Sequence, residues 1–356
     1  MGDRRATMIV LAGIGNVGRA VVSRLRDWAG PPIEVVGVAD RSACLHDPEG
    51  FGDEALSRAI EAKRSGRSLR EVDLPGTRIE DLGELATSRT LFIDATADRD
   101  LAGLWCRVLD AGAAVVLANK HPLCGPWAEA EPLFRSPRLR YEATVGAGLP
   151  VISTLNRLLA AGDRIDRIVG TLSGTLGFVL GQVARRVPLS RAVADAIERG
   201  YAEPDPRQDL NGSDVARKAL ILARTLGRPA EPEEIMPESL FPKAWETLPL
   251  PGFLDALPSL DAPMADRNRE FAWMGQETVY LADVTAEGCV VGLTDVDAAS
   301  PLRSASGGTN RIEISSEHFA PDPIAIAGPG AGPGSTASGV LGDVLGLIEA
   351  ASLEVS

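Results

Sequence analysis

The stretch from Met8 to Asp40 leaves few folds open. Met8-Ile9-Val10-Leu11-Ala12 is a continuous apolar run, as expected of a strand covered on both faces. Gly13-Ile14-Gly15-Asn16-Val17-Gly18 follows without a gap. Val17, Val21, Leu25 and Trp28 then recur at helical spacing until Gly30-Pro31-Pro32 stops the helix. Ile33-Glu34-Val35-Val36-Gly37-Val38-Ala39 reads as a second strand, and Asp40 stands 22 residues beyond Gly18. A GxGxxG alone is weak; strand, GxGxxG, helix, strand and acid in this order predict a βαβ unit that takes a dinucleotide. Gly13 permits the tight turn, Gly15 lets the backbone approach a pyrophosphate, and Gly18 lets helix and sheet pack closely. Ile14, Asn16 and Val17 lie in the same loop, where the helix N-terminus supplies an anion site. A glycine-rich turn without a ligand is the competing reading. Asp40 suits the adenosine ribose hydroxyls and favours NAD. Arg41 beside it, with Lys63, Arg64 and Arg67 downstream, suits a 2′-phosphate and favours NADP, so both cofactors stay open.

A chain of 356 residues suggests two domains. With 45% hydrophobic and 24% charged residues it is ordinary for a soluble protein, and with aromatics at 4% the core must be built from Leu, Val, Ile and Ala. A formal net charge of −13 argues against a nucleic-acid partner. Cys44, Cys106, Cys124 and Cys289 form no CxxC pair, so neither a disulfide framework nor a zinc site follows, and free thiols fit a cytoplasmic protein. The N-terminus carries no secretory segment and no apolar run reaches membrane length, so no membrane partner is expected. His46, His121 and His318 read as surface or loop residues, which leaves few candidates for a histidine base.

Further on, a strand over residues 90–96 ends in Asp94-Ala95-Thr96-Ala97, at the edge where open α/β sheets hold their ligands. A strand over 113–118 delivers Asn119-Lys120 to the same edge; Lys120 is either functional or simply a lysine at a strand exit. A strand over 139–144 runs into Val145-Gly146-Ala147-Gly148-Leu149-Pro150, a glycine-rich linker. A helix over 151–161, a strand over 166–172, the turn Ser173-Gly174-Thr175 and more helices to Arg199 follow. Residues 231–270 are rich in proline and acid and give no readable pattern. Strands are expected over 277–284, 289–296, 310–315 and 324–327, then a Gly-Pro-Gly-Ala-Gly-Pro-Gly loop, then a last helix with Val340, Val344 and Leu347 on one stripe.

Residues 200–218 combine unusual chemistry. Pro204 and Pro206 exclude helix from the first half, which carries Glu203, Asp205 and Asp209. Asn211, Gly212 and Ser213 then offer capping chemistry, and Asp214 suits a first helical turn. Val215, Ala219, Leu222 and Leu226 form an apolar stripe, and Asp214 and Lys218, four apart, share the face beside it. An acid-rich loop feeding a helix with a carboxylate and an amine suits a small zwitterion. A solvated turn with an ordinary ion pair is the competing reading.

This block closely resembles the signature of the homoserine dehydrogenases. With Asn119-Lys120, Tyr141-Glu142-Ala143-Thr144-Val145-Gly146-Ala147-Gly148-Leu149-Pro150 and the late glycine loop, the resemblance covers about residues 8–228 and 320–350. His121-Pro122, where the family often has another small or basic residue, is a minor departure. The resemblance implies an α/β protein: a Rossmann-type NAD(P)-binding domain over 1–145, completed by a C-terminal helix over 335–356, and an α+β catalytic and dimerisation domain with a mixed sheet over 146–334. It implies interconversion of L-aspartate 4-semialdehyde and L-homoserine, in the branch leading to threonine, methionine and isoleucine. By position, Lys218 would be the proton donor, with Lys120 placing carbonyl and cofactor. Glu203 and Asp214 would hold the substrate ammonium, with Asp209, Gly174, Thr175 and Tyr201 around it. The cofactor would meet the residues from Gly13 to Gly18, Asp40, Arg41, Thr96, Ala97, Lys120, Gly200, Glu203 and Gly332. A sodium or potassium ion would sit on the Glu142 carboxylate and the carbonyls of Val145, Ala147 and Leu149. A homodimer or tetramer is implied, as is a short form without a fused regulatory or kinase domain. Another Rossmann-fold amino-acid dehydrogenase and a non-catalytic dinucleotide sensor remain as alternatives.

Overall fold

The structure, a computed structural model, describes residues 6–77, 79–303 and 309–354. The chain forms two compact units, one running up to Gly148 and resuming at Gly332, the other spanning Leu149–Ala331.

In the first unit the order is β1 (Thr7–Ala12), α1 (Asn16–Arg26), β2 (Ile33–Ala39), β3 (Cys44–His46), α2 (Asp53–Arg64), β4 (Gly76–Thr77), β5 (Thr90–Asp94), α3 (Ala102–Asp110), β6 (Ala114–Leu117), α4 (Trp127–Arg135) and β7 (Leu139–Arg140). They build a seven-stranded sheet in the order β4-β3-β2-β1-β5-β6-β7. β2, β1, β5, β6 and β7 run parallel, while β3 and β4 add an antiparallel edge. The central strands are apolar throughout because helices cover both faces. Ile9, Val10, Leu11, Phe92, Ile93, Val115 and Val116 are fully buried. Strand order reverses beside β1, which creates the crevice where such sheets bind ligands. The strand expected over 139–144 stops at Arg140, and Glu142–Thr144 turns as a 3-10 helix. Gly146 and Ala147 then take positive φ (83° and 57°), which no strand continues through.

The second unit contains α5 (Val151–Ala160), β8 (Ile165–Thr171), α6 (Gly174–Ala184), α7 (Leu189–Glu198), α8 (Arg207–Leu210), α9 (Ser213–Thr225), α10 (Leu250–Ala256), α11 (Asp261–Trp273), β9 (Gln276–Thr285), β10 (Cys289–Asp297), β11 (Thr309–Ser316) and β12 (Ile324–Pro329). Its five strands lie in the order β10-β9-β8-β11-β12. Every pairing is antiparallel, so the mixed character expected of this sheet belongs to the first sheet instead. The tight link between β9 and β10 allows only that direction. Ile168, Ile312 and Ile314 bury one face, and α9 packs on β9 and β10 with Val215, Ala219, Ile221 and Leu222 buried. The helix-free reading of residues 200–210 needs correction. Pro206 caps α8, a single turn starting at Arg207, because a proline restricts the residues before it and not those after. Residues 231–270 resolve into short 3-10 turns, α10 and α11. α12 (Pro333–Glu354) returns to the first unit and packs on α1 through Ala337, Val340 and Val344.

Candidate active site

Each unit presents its own group of predicted residues. In the first, the glycine loop has the shape of a cradle. Gly13 sits at φ +95°, and a Cβ there would lie 2.7 Å from the Ala95 carbonyl carbon. A Cβ on Gly18 would lie 1.9 Å from the Gly13 oxygen, so close packing alone demands glycine there. Gly15 differs: nothing lies within 4 Å of the place a Cβ would take. That open side, with Gly15 capping α1 without any side-chain cap, leaves the first amides of the helix, from Asn16 on, available to an anion. Ile14 is buried behind the loop. The residues present therefore fit a dinucleotide pyrophosphate.

Asp40 directly follows β2. Its side chain is only 8% exposed and both oxygens are engaged: Lys63 Nζ lies 2.6 Å from Oδ2, and the Ser42 amide donates to Oδ1 at 2.7 Å. Burial pushes this carboxyl up, but Lys63 and Ser42 more than offset it and hold it below its ordinary range. Arg41 is exposed beside it. Thr96 and Ala97 follow β5, and the half-buried Lys120 follows Asn119 at the end of β6. Gly332 opens α12 at φ +108°, with its carbonyl accepting from the Thr336 amide at 2.9 Å.

The linker between β7 and Gly148 carries the expected cation ligands of the first unit. Glu142 is buried at 7% exposure, and its amide donates to Asp343 Oδ2 on α12 at 2.8 Å. Burial pushes the Asp343 carboxyl up to about 7, against the pull of the Glu142 amide, and the Glu142 charge adds to the rise. Ala147 takes a left-handed conformation at φ 57°, so the backbone of this linker is irregular. Val145 is fully buried. In the second unit the Leu149 carbonyl accepts from the Val151 amide at 2.8 Å. Sequence reading missed Asp343, which lies 201 residues from Glu142 with no local signal.

In the second unit, Lys218 is 7% exposed, on the edge of the α9 stripe. Its Nζ lies 2.8 Å from Asp214 Oδ2 and donates to the Leu172 carbonyl at 2.6 Å. Asp209 sits nearby: the Thr175 hydroxyl donates to the Tyr201 carbonyl at 2.6 Å and reaches Asp209 Oδ1 at 3.3 Å. Burial raises the Asp209 carboxyl, and the charges of Asp214 and Glu203 push it further, against the pull of the Glu203 amide and Thr175. Gly174 and Thr175 begin α6, whose cap Ser173 accepts from the Leu176 amide at 3.2 Å. Tyr201 stacks on Phe178 at 4.6 Å, and Gly200 turns the chain at φ +72°. Asp205 stands apart, paired with Arg207. Asn310 on β11 is fully buried, and neither polar atom of its amide has a hydrogen-bond partner among the described residues.

A doubly wound sheet with an open glycine cradle, followed by a unit that buries a lysine against a carboxylate, defines a nicotinamide-dinucleotide oxidoreductase. The family models agree: "Homoserine dehydrogenase, NAD binding domain" matches residues 13–135 and "Homoserine dehydrogenase" matches residues 150–345. The chain belongs to the homoserine dehydrogenase family. It is 33% identical to the homoserine dehydrogenase of Emericella nidulans over 95% of this chain and 97% of that one. It is 34% identical to that of Saccharomyces cerevisiae over 95% and 96%. Against the bifunctional aspartokinase/homoserine dehydrogenase of Haemophilus influenzae, 31% identical, it spans 43% of the relative's length. Among solved structures, a putative homoserine dehydrogenase from Archaeoglobus fulgidus superposes with a TM-score of 0.76 at 27% identity, covering 96% of this chain and 99% of that one. No described helix is long and apolar enough to cross a membrane.

Proposed function

We propose that this chain interconverts L-aspartate 4-semialdehyde and L-homoserine with NAD or NADP, within the synthesis of threonine, methionine and isoleucine. The observation that carries this reading is the buried Lys218 amine, held 2.8 Å from Asp214 and 2.6 Å from the Leu172 carbonyl. A bound nicotinamide cofactor supplies or accepts the hydride. As the aldehyde carbon gains hydride, its oxygen gains negative charge, and Lys218 delivers the proton that completes the alcohol. In the reverse direction the amine takes that proton back. Asp214 and Leu172 fix the amine, so its approach to the substrate oxygen is preset. Glu203 and Asp214, with Asp209 behind them, hold the substrate ammonium, and Gly174, Thr175 and Tyr201 shape the space around it.

In the first unit, residues 13–18 hold the pyrophosphate, Asp40 and Arg41 the adenosine ribose, and Thr96, Ala97 and Lys120 the nicotinamide end. Gly200, Glu203 and Gly332 complete the cofactor contacts. A sodium or potassium ion on Glu142 and the carbonyls of Val145, Ala147 and Leu149 stiffens the linker. A homodimer or tetramer and a cytoplasmic setting belong to the same reading, the latter supported by four free thiols. The test is oxidation of L-homoserine, followed by NAD(P)H absorbance, against a panel of other amino acids. Activity on another amino alcohol with none on homoserine overturns the substrate, and no turnover with retained cofactor binding favours a sensor.

A further inference from the structure

Asp94 is a carboxylate that the proposed chemistry does not use. It ends β5 directly beside Ala12, the last residue before the glycine loop, and it is fully buried. Four donors converge on it. The Thr96 amide and hydroxyl reach Oδ1 at 2.9 and 2.7 Å, while Trp105 Nε1 and Asn119 Nδ2 reach Oδ2 at 2.8 and 3.2 Å. Backbone and indole N–H groups only donate. The Asn119 orientation is fixed because the His121 amide donates to its Oδ1 at 3.0 Å. The Asn119 amide hydrogens are shared with Thr96 Oγ1 and the Asp98 carbonyl. Thr96 Oγ1 also receives the Asp98 amide, so its hydroxyl hydrogen is left to point at Asp94. A carboxyl proton would face donors on every side. Burial raises this group's pKa against the pull of Thr96, Trp105 and Asn119, and all four contacts donate to the carboxylate, so the surroundings stabilise its ionised form. No lysine, arginine or histidine bonds it among the described residues; neutral dipoles stabilise the charge without cancelling it.

The place of this charge matters. Asp40 ends β2 on one side of β1, and Asp94 ends β5 on the other. A dinucleotide bound with its ribose at Asp40 spans the switch point and puts its nicotinamide over the β5 and β6 ends. The oxidised ring carries a positive charge and the reduced ring none. We propose that Asp94 is a specificity-determining charge for the cofactor's redox state, favouring binding of the oxidised nicotinamide over the reduced one. The inference rests on the reading of the first unit as the nicotinamide-dinucleotide site.

Equilibrium titration without substrate tests it. The ratio of the NAD⁺ and NADH dissociation constants should rise on the order of tenfold in Asp94→Asn, as loss of one charge in a weakly screened site implies. Trp105→Phe keeps the charge and removes one donor, so it should lower Tm while leaving the ratio within about twofold. If Asp94→Asn does not fold, Asp94→Asn with Trp105→Phe removes a donor that clashes with the new amide hydrogens, and it is read against Trp105→Phe alone. An unchanged ratio with both forms still bound overturns the proposal, as does an equal shift in Trp105→Phe. If the wild type binds neither NAD form, the same ratio is read with NADP⁺ and NADPH, and failure to bind any of the four sinks the nucleotide reading itself.

Discussion

Lys218 Nζ lies 2.8 Å from Asp214 Oδ2, one helical turn away, and the pair is closed off by the Leu172 carbonyl at 2.6 Å. An ordinary surface pair of this spacing is worth little. Here the lysine is buried while its partner side chain stays 38% exposed, so the amine is locked and the carboxylate still meets solvent or substrate. If Lys218 moves the proton, Lys218→Ala should lower kcat by about 10²–10⁴-fold. Cofactor binding to the first unit should barely change. Lys218→Arg should not restore turnover, since a guanidinium holds its proton too tightly. Glu203→Ala should mainly raise the KM for homoserine. A kcat for Lys218→Arg within a few-fold of wild type moves the proton-donor role to Lys120.

Asp40 already spends one oxygen on Lys63 and the other on Ser42. Asp40→Ser removes a charge that repels a 2′-phosphate and releases Lys63 to bind one. A hydrogen bond to a charged group is worth about 1.5–3 kcal/mol. The ratio of kcat/KM for NADP over NAD should therefore rise roughly ten- to a hundredfold. Steady-state kinetics with both cofactors measure it, and a fixed ratio removes Asp40 from the ribose.

Glu142→Ala should shift activation by sodium or potassium to higher concentration, read as activity against added salt at constant ionic strength. A variant with wild-type salt response and wild-type Tm would leave Glu142 with no role beyond its amide's bond to Asp343.

Much of this was legible in the sequence because it is written in local order. The glycine loop, β2 and Asp40 follow one another within a single βαβ unit, so spacing alone predicts them. Asp214 and Lys218 were readable as neighbours because a helix puts residues four apart on one face. The partners that complete these groups were not. Leu172 lies 46 residues from Lys218, and a backbone carbonyl leaves no trace in residue type. Lys63 could be placed near the adenosine end, but its choice of Asp40 over a phosphate depends on the α2 register. Residues 231–270 were opaque because short 3-10 turns have no period, and α11 buries only Met264 strongly.

Gly330 is glycine for a steric reason that spacing could not disclose. A Cβ there would lie 1.9 Å from the Asn310 amide nitrogen, although the backbone needs no positive φ. Gly330→Ala should destabilise the second unit by about 1–3 kcal/mol, as overpacking does. Thermal unfolding measures the loss, and adding Asn310→Ala should recover most of it. A double variant no better than the single one would mean that the loop itself, and not the amide, rejects the methyl.

Asp163 and His318 give the second unit a pH-dependent brace. Asp163 is buried at the turn after α5, and it accepts from Ser316 Oγ at 2.7 Å while the His318 ring nitrogen lies 2.9 Å from its other oxygen. The hydrogen bond that the His318 ring donates to Asp163, then the Asp163 charge, raises the His318 pKa. His318 and Ser316 in turn lower that of Asp163. A histidine raised on folding contributes fully below its unfolded value of about 6.5 and loses that contribution as pH climbs through the folded value. A lowered aspartate contributes above about 3.9 and loses it as pH falls through its folded value. The brace is therefore strongest between about pH 4 and 6.5. His318→Gln keeps a polar group but cannot carry charge. Its Tm deficit against wild type should be largest near pH 5.5 and shrink toward pH 9, where histidine and glutamine at position 318 are both neutral. A deficit that stays constant across that range would show that His318 acts by packing, and that its ionisation contributes nothing to the turn.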